Sequence, residues 1–161
     1  MVVPERQITN VAMTQASIAL IDRAGRRPLL LISTAGMTVA LLVLGASFRW
    51  ELPGGSVTAL ICLLAFVAAF AIGAGPVVWL LVSELLPPPV RARGTGLCTI
   101  VNWIANFAVS QSFLPLIQGI GQGPTFWLFA VVCLLGTGFV ARWVPETKGR
   151  TDAQIATGLA V

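Results

Sequence analysis

A chain of 161 residues that is 57% hydrophobic and only 10% charged does not fit a water-soluble domain, where about a quarter of residues are charged. The bilayer must act as its solvent, and the expected class is an all-α membrane protein. The net charge of +4 comes without a basic patch interleaved with aromatics, which excludes nucleic acid as a partner; the absence of histidine removes imidazole metal sites and His-based catalysis.

In chain order, residues 1–7 read as a non-native-looking or disordered start, broken by Pro4, Glu5 and Arg6. No small-residue cleavage site follows an apolar core there, so no secretory leader is expected. Residues 8–21 are helix-compatible, but at 1.5 Å per residue they reach only about 20 Å, against a hydrocarbon core of about 30 Å. With Asn10, Thr14, Gln15 and Ser17 among them, they read as the second half of a spanning helix. A basic loop over 22–28 carries Arg23, Arg26 and Arg27. Four spans follow: 29–48, 57–86 (interrupted by Gly75-Pro76), 96–117 and 125–143. A loop over 87–95 opens on Pro87-Pro88-Pro89, which no helix interior accommodates, and a tail covers 144–161.

Lys and Arg concentrate in the loop at 22–28, in Arg91 and Arg93, and in the tail with Arg142, Lys148 and Arg150. With four spans these fall on one side, and the positive-inside rule places them and the C-terminus in the cytoplasm of a multi-pass plasma-membrane protein. Cys62, Cys98 and Cys133 each lie in an apolar run and are expected to pack as small hydrophobes rather than pair.

Polar residues inside spans need partners. Asn102 and Asn106 stand four apart on one helical face, which is expected to point inward because an amide facing lipid is left unpaired. They serve either as interhelical glue or as the polar wall of a solute pathway. Trp79 follows Gly75-Pro76, where a bent helix can open a cavity; it stacks on a sugar or belongs to an interfacial belt, as Trp50 and Trp143 do. Ala65, Ala69 and Gly73 form a stripe for close helix approach. Glu84, at the loop end of its span, is placed to pair with Arg26, Arg27, Arg91 or Arg93. No metal-ligand cluster, nucleophile–base pair or phosphate loop is present, so neither catalysis nor a cofactor is expected.

Three segments carry a resemblance: Asp22-Arg23-Ala24-Gly25-Arg26-Arg27-Pro28, Gly75-Pro76-Val77-Val78-Trp79-Leu80-Leu81-Val82-Ser83-Glu84, and Pro145-Glu146-Thr147-Lys148-Gly149-Arg150-Thr151. In this order and spacing they resemble the signature segments of the sugar porter family of the major facilitator superfamily. The resemblance implies most of a C-terminal six-helix bundle, from the end of helix eight through helix twelve. It implies sugar contacts at Trp79, Asn102, Asn10 and Phe70, with Asn106 on the same face as Asn102. It further implies a cytoplasmic gate network of Arg23, Arg26, Arg27, Glu84, Arg91 and Glu146.

Ala71 stands where many facilitative members are polar, which points to a bacterial-type relative. The family's N-terminal bundle is not represented, so the expectation is a C-terminal portion of a monosaccharide transporter that is inert alone, with symport and facilitated passage both open. The alternatives are a small membrane scaffold or partner subunit completing a split transporter, and a major facilitator exporter of another solute.

Overall fold

The protein is described by a computed structural model covering residues 25–50 and 55–146. The start, the partial helix at 8–21 and most of the tail lie outside the described residues, as do Asn10 and Arg23. Four helices long and apolar enough to cross a membrane occupy the described chain. Helix α1 runs over Arg26–Arg49. The second span is composite: α2 (Gly55–Ala69), a π turn (Phe70–Ala74) and α3 (Gly75–Leu85). Helix α4 covers Pro88–Ile120 and α5 covers Gln122–Trp143.

Two segments expected as loops are helical. In the basic loop at 22–28, Arg26, Arg27 and Pro28 already belong to the first turn of α1. A proline is tolerated there because the first N–H groups of a helix have no partner within it. The stretch at 87–95 is helical from Pro88, for the same reason: Pro88 and Pro89 occupy the first two positions of α4. The expected break at Gly75-Pro76 is instead a widened turn. In an unbroken α-helix the Pro76 ring would collide with the Ile72 carbonyl, and the π turn immediately before it relieves that contact.

Helix α1 is the hub. On one side Gly73 of the π turn sits so close that a Cβ would meet the Leu29 carbonyl oxygen at 2.5 Å and Ser33 Cβ at 2.6 Å; higher up, Gly36 faces Ala69. The small-residue stripe thus does its packing through Ala69 and Gly73, while Ala65 is exposed. On the other side Gly45 and Gly123 let α1 cross α5 at backbone range, a Cβ on Gly45 meeting the Gly123 carbonyl oxygen at 2.9 Å. Trp127 closes this crossing by donating Nε1–H to the Leu42 carbonyl at 3.2 Å.

Buried Leu29, Leu30, Val77, Leu81 and Val140 form the core, near the ends of the helices that carry the charges. At the opposite end Phe48, Phe113, Phe126 and Phe129 associate through ring contacts, and Trp50 meets Trp127 edge-on. Helix α4 is different: none of its residues is buried against the described remainder.

Of the three cysteines expected to be packed, Cys62 is buried, Cys133 is half-buried and Cys98 is exposed, because Cys98 lies on α4. None is paired.

Candidate functional site

Two groups of residues meet the chemistry expected of a site, one at each depth of the bundle. The charged end is built on the start of α1. Gly25 precedes the helix with φ 87°, ψ 156°, a region essentially reserved for glycine. A Cβ at that position would also meet Glu146 Oε2 at 2.8 Å. The Glu146 carboxylate therefore reaches the first two amides of α1. The Arg26 N–H donates to Oε1 at 3.0 Å and the Arg27 N–H to Oε2 at 3.1 Å. A carboxylate here both satisfies orphan donors and meets the positive end of the helix dipole.

The arginine side chains then spread outward from the same turn. Arg26 Nη2 donates to Glu84 Oε1 at 3.2 Å, an ion pair whose side chains are 16% and 24% exposed. Arg27 Nη2 donates to the Ala141 carbonyl near the end of α5. Arg91, in the first turn of α4, donates Nε–H to the Leu86 carbonyl at 3.1 Å, fixing the short α3–α4 connection. The structure thus brings Arg26, Arg27, Glu84 and Glu146 into one cluster that ties α1 to α3 and to the segment after α5.

The second group lies deeper. Phe70 opens the π turn and is 47% exposed; Trp79, on α3, is 42% exposed. Both leave the bundle rather than enter its core. Asn102 and Asn106 on α4 are exposed as well. The expectation that this pair must turn inward assumed an unpaired amide. Asn106 instead donates Nδ2–H to the Asn102 backbone carbonyl at 2.8 Å, one turn back on its own helix. That bond lowers the penalty of an open setting and leaves the Asn102 side chain available.

Sequence reasoning missed Ser33. It is buried on α1, and its hydroxyl donates to the Ala69 carbonyl at 2.7 Å while accepting from the Ala74 N–H at 2.9 Å. A serine within an apolar span gives no signal of its own, since its partners are backbone groups 36 and 41 residues away. The capping role of Glu146 was hidden for the same reason, although the residue itself stood in a recognised segment.

Comparison with known proteins gives one answer. The family described as "Sugar (and other) transporter" matches residues 7–159. The chain is 38% identical to the arabinose-proton symporter of Bacillus subtilis over 148 residues, 92% of this chain and 32% of that protein. It is 41% identical to the facilitated trehalose transporter Tret1 of Bombyx mori over 153 residues, 92% of this chain and 30% of the relative. Among solved structures, the inward-open xylose transporter XylE from E. coli superposes with a TM-score of 0.82 at 33% identity, covering 93% of this chain and 34% of XylE. The chain therefore spans about a third of the length of the proteins it matches. Its helices and those of XylE share the architecture of the major facilitator superfamily, and the chain belongs to the sugar transporter family.

Proposed function

We propose that this chain supplies the C-terminal wall and the inner gate of a monosaccharide transporter, and that it is inert without the rest of the pathway. The observation that carries this reading is the exposure of Trp79 and Asn102 on helices of a sugar transporter family bundle. An indole offers a flat apolar face for the C–H side of a sugar and one N–H donor, and the asparagine amide offers a donor and an acceptor for hydroxyls. Phe70 and Asn106, both exposed, are assigned to the same lining, and Asn10 by the family resemblance. Substrate sites in such transporters lie between repeats, so one bundle holds only part of the contacts.

The charged cluster fits a gate on the cytoplasmic side. Arg26, Arg27, Glu84 and Glu146 register helix ends that must separate when the inner side opens, and Arg23 and Arg91 are assigned to the same gate by the family resemblance. Arg91, Arg93 and Arg142 at the same end support a cytoplasmic orientation in the plasma membrane. The relatives are named for arabinose, xylose and trehalose, and the reading here is a monosaccharide carried by symport or by facilitated passage. Helix α4, with no residue buried against the described remainder, favours a second reading as a small subunit that completes a transporter whose other part is a separate chain.

The test is a chimera in which residues 8–161 replace the matching part of the B. subtilis symporter, reconstituted in vesicles with labelled arabinose, xylose and glucose. Uptake should be saturable, and Trp79→Ala or Asn102→Ala should lower kcat/KM at least tenfold. A transporting chimera indifferent to both substitutions would remove the proposed contacts. Saturable uptake by the 161-residue chain alone would remove the claim that it is inert.

A further inference from the structure

The Ser33 hydroxyl joins two backbone groups, Ala69 C=O and Ala74 N–H, that are five residues apart. Five is the spacing that closes a π turn, not an α turn. The hydroxyl comes from a different helix, it is buried with a relative exposure of 1%, and it arrives where Gly73 lets α1 come to backbone range. We propose that Ser33 is a positioning residue: it pins the π turn and thereby sets the angle between the aromatic residues on either side of it.

The geometric effect is large. At about 100° per residue, an unbroken α-helix would put Phe70 and Trp79, nine positions apart, on opposite faces, about 180° from one another. One residue absorbed by the π turn brings them to about 80°. Phe70 is held within the turn, its ring lying over Gly75, where a Cβ would meet Cε1 at 3.1 Å. The turn converts two aromatics facing opposite ways into two that border one sector. Pro76 makes a widened turn favourable by denying the Ile72 carbonyl its α-helical donor, but that carbonyl lies inside the turn and does not fix where the turn starts. Ser33 does, because its two bonds hold the Ala69 carbonyl and the Ala74 N–H at the spacing of a π turn. The functional consequence rests on the reading of Trp79 and Phe70 as sugar contacts; the pinning itself does not.

The experiment uses the full chain in nanodiscs, labelled with 5-fluorotryptophan for 19F NMR and with 15N-alanine for amide exchange, the Trp79 signal being assigned by its loss in Trp79→Phe. Ser33→Ala should displace or split the Trp79 signal, leave the Trp127 signal in place, and speed Ala74 amide exchange at least tenfold. Ser33→Thr, which keeps the hydroxyl, should preserve both. Pro76→Ala should keep the Trp79 signal where it is, because the pin remains. A Ser33→Ala protein with unchanged Trp79 signal and Ala74 exchange overturns the proposal. Should Ser33→Ala fail to fold by circular dichroism, Pro76→Ala decides alone: a displaced Trp79 signal overturns the pin and an unmoved one supports it. Titration with D-xylose, L-arabinose and D-glucose reports separately on the sugar reading, since a Trp79 signal indifferent to all three counts against sugar contact and leaves the pin standing.

Discussion

Gly25 and Gly121 hold nearly the same unusual backbone, φ 87° and φ 89°, yet they sit in different surroundings. A side chain on either carries a strain of about 1–3 kcal/mol. At Gly121 the nearest atom to an added Cβ is Pro124 Cδ at 4.0 Å, whereas at Gly25 the carboxylate of Glu146 stands at 2.8 Å. Gly121→Ala should therefore cost the strain alone. Gly25→Ala should cost more, because it also displaces the cap from the Arg26 and Arg27 amides. Unfolding in bicelles titrated with SDS, followed by circular dichroism, measures the difference; equal losses would show that the cap and the glycine are independent. Glu146→Ala should cost about 1–2 kcal/mol from the lost cap and dipole interaction, and Glu146→Gln less, since an amide oxygen still accepts one bond. The ion pair of Arg26 with Glu84 is a smaller contributor by comparison. Pairs in contact with water are worth about 0–1 kcal/mol, so its effect is to register α1 against α3 more than to hold them together.

At the scale of helices, the glycines divide by what faces them. Gly45 and Gly73 look onto Trp127, the Gly123 carbonyl and the Leu29 carbonyl at distances no Cβ tolerates, whereas Gly96 and Gly136 have nothing within 4 Å among the described residues. Gly73→Ala and Gly45→Ala should each destabilise by about 1–3 kcal/mol, the usual cost of overpacking. Gly96→Ala and Gly136→Ala should be neutral or stabilise by about 0.5–1 kcal/mol, since alanine is the better helix residue. The same bicelle titration tests the ranking, and a loss at Gly96 comparable to that at Gly73 would contradict the packing described for α1.

Helix existence was legible in the sequence because runs of about twenty apolar residues have few other uses. Helix limits were less so. Pro87-Pro88-Pro89 read as a stop, but prolines that end one helix serve equally as the first residues of the next. The charged cluster was legible in part: Glu84 stood at the loop end of its span, level with the arginines, and Glu146 entered through the family resemblance. Its wiring was not, because Glu146 binds backbone amides, which every residue carries. Ser33 was invisible for the same physical reason.

For the whole molecule, the uneven burial of the helices governs reactivity. Cys62 is 6% exposed and Cys98, on α4, is exposed. A membrane-permeant maleimide should alkylate Cys98 at least ten times faster than Cys62 in the purified chain, read by mass spectrometry of the digested protein. Fusion to the preceding part of the B. subtilis symporter should slow Cys98 if α4 gains neighbours in the assembled bundle. Comparable rates at both cysteines in the chain alone would mean that α4 is covered in solution by contacts absent from the described fold.

The Glu146 cap also has a consequence in time. It closes a bond over 120 positions of sequence, to the amide of Arg26. During synthesis at about 5–20 residues per second, α1 must wait roughly 6–24 s for its cap to be made. Throughout that interval other groups, water or lipid headgroups among them, must satisfy the first amides of α1, while the α1–α5 crossing at Gly45 and Gly123 can already form. A ribosome stalled between Trp143 and Glu146 thus leaves all four described spans made and the hub helix with an open end, so the cap is timed by synthesis of a segment beyond the last of those spans.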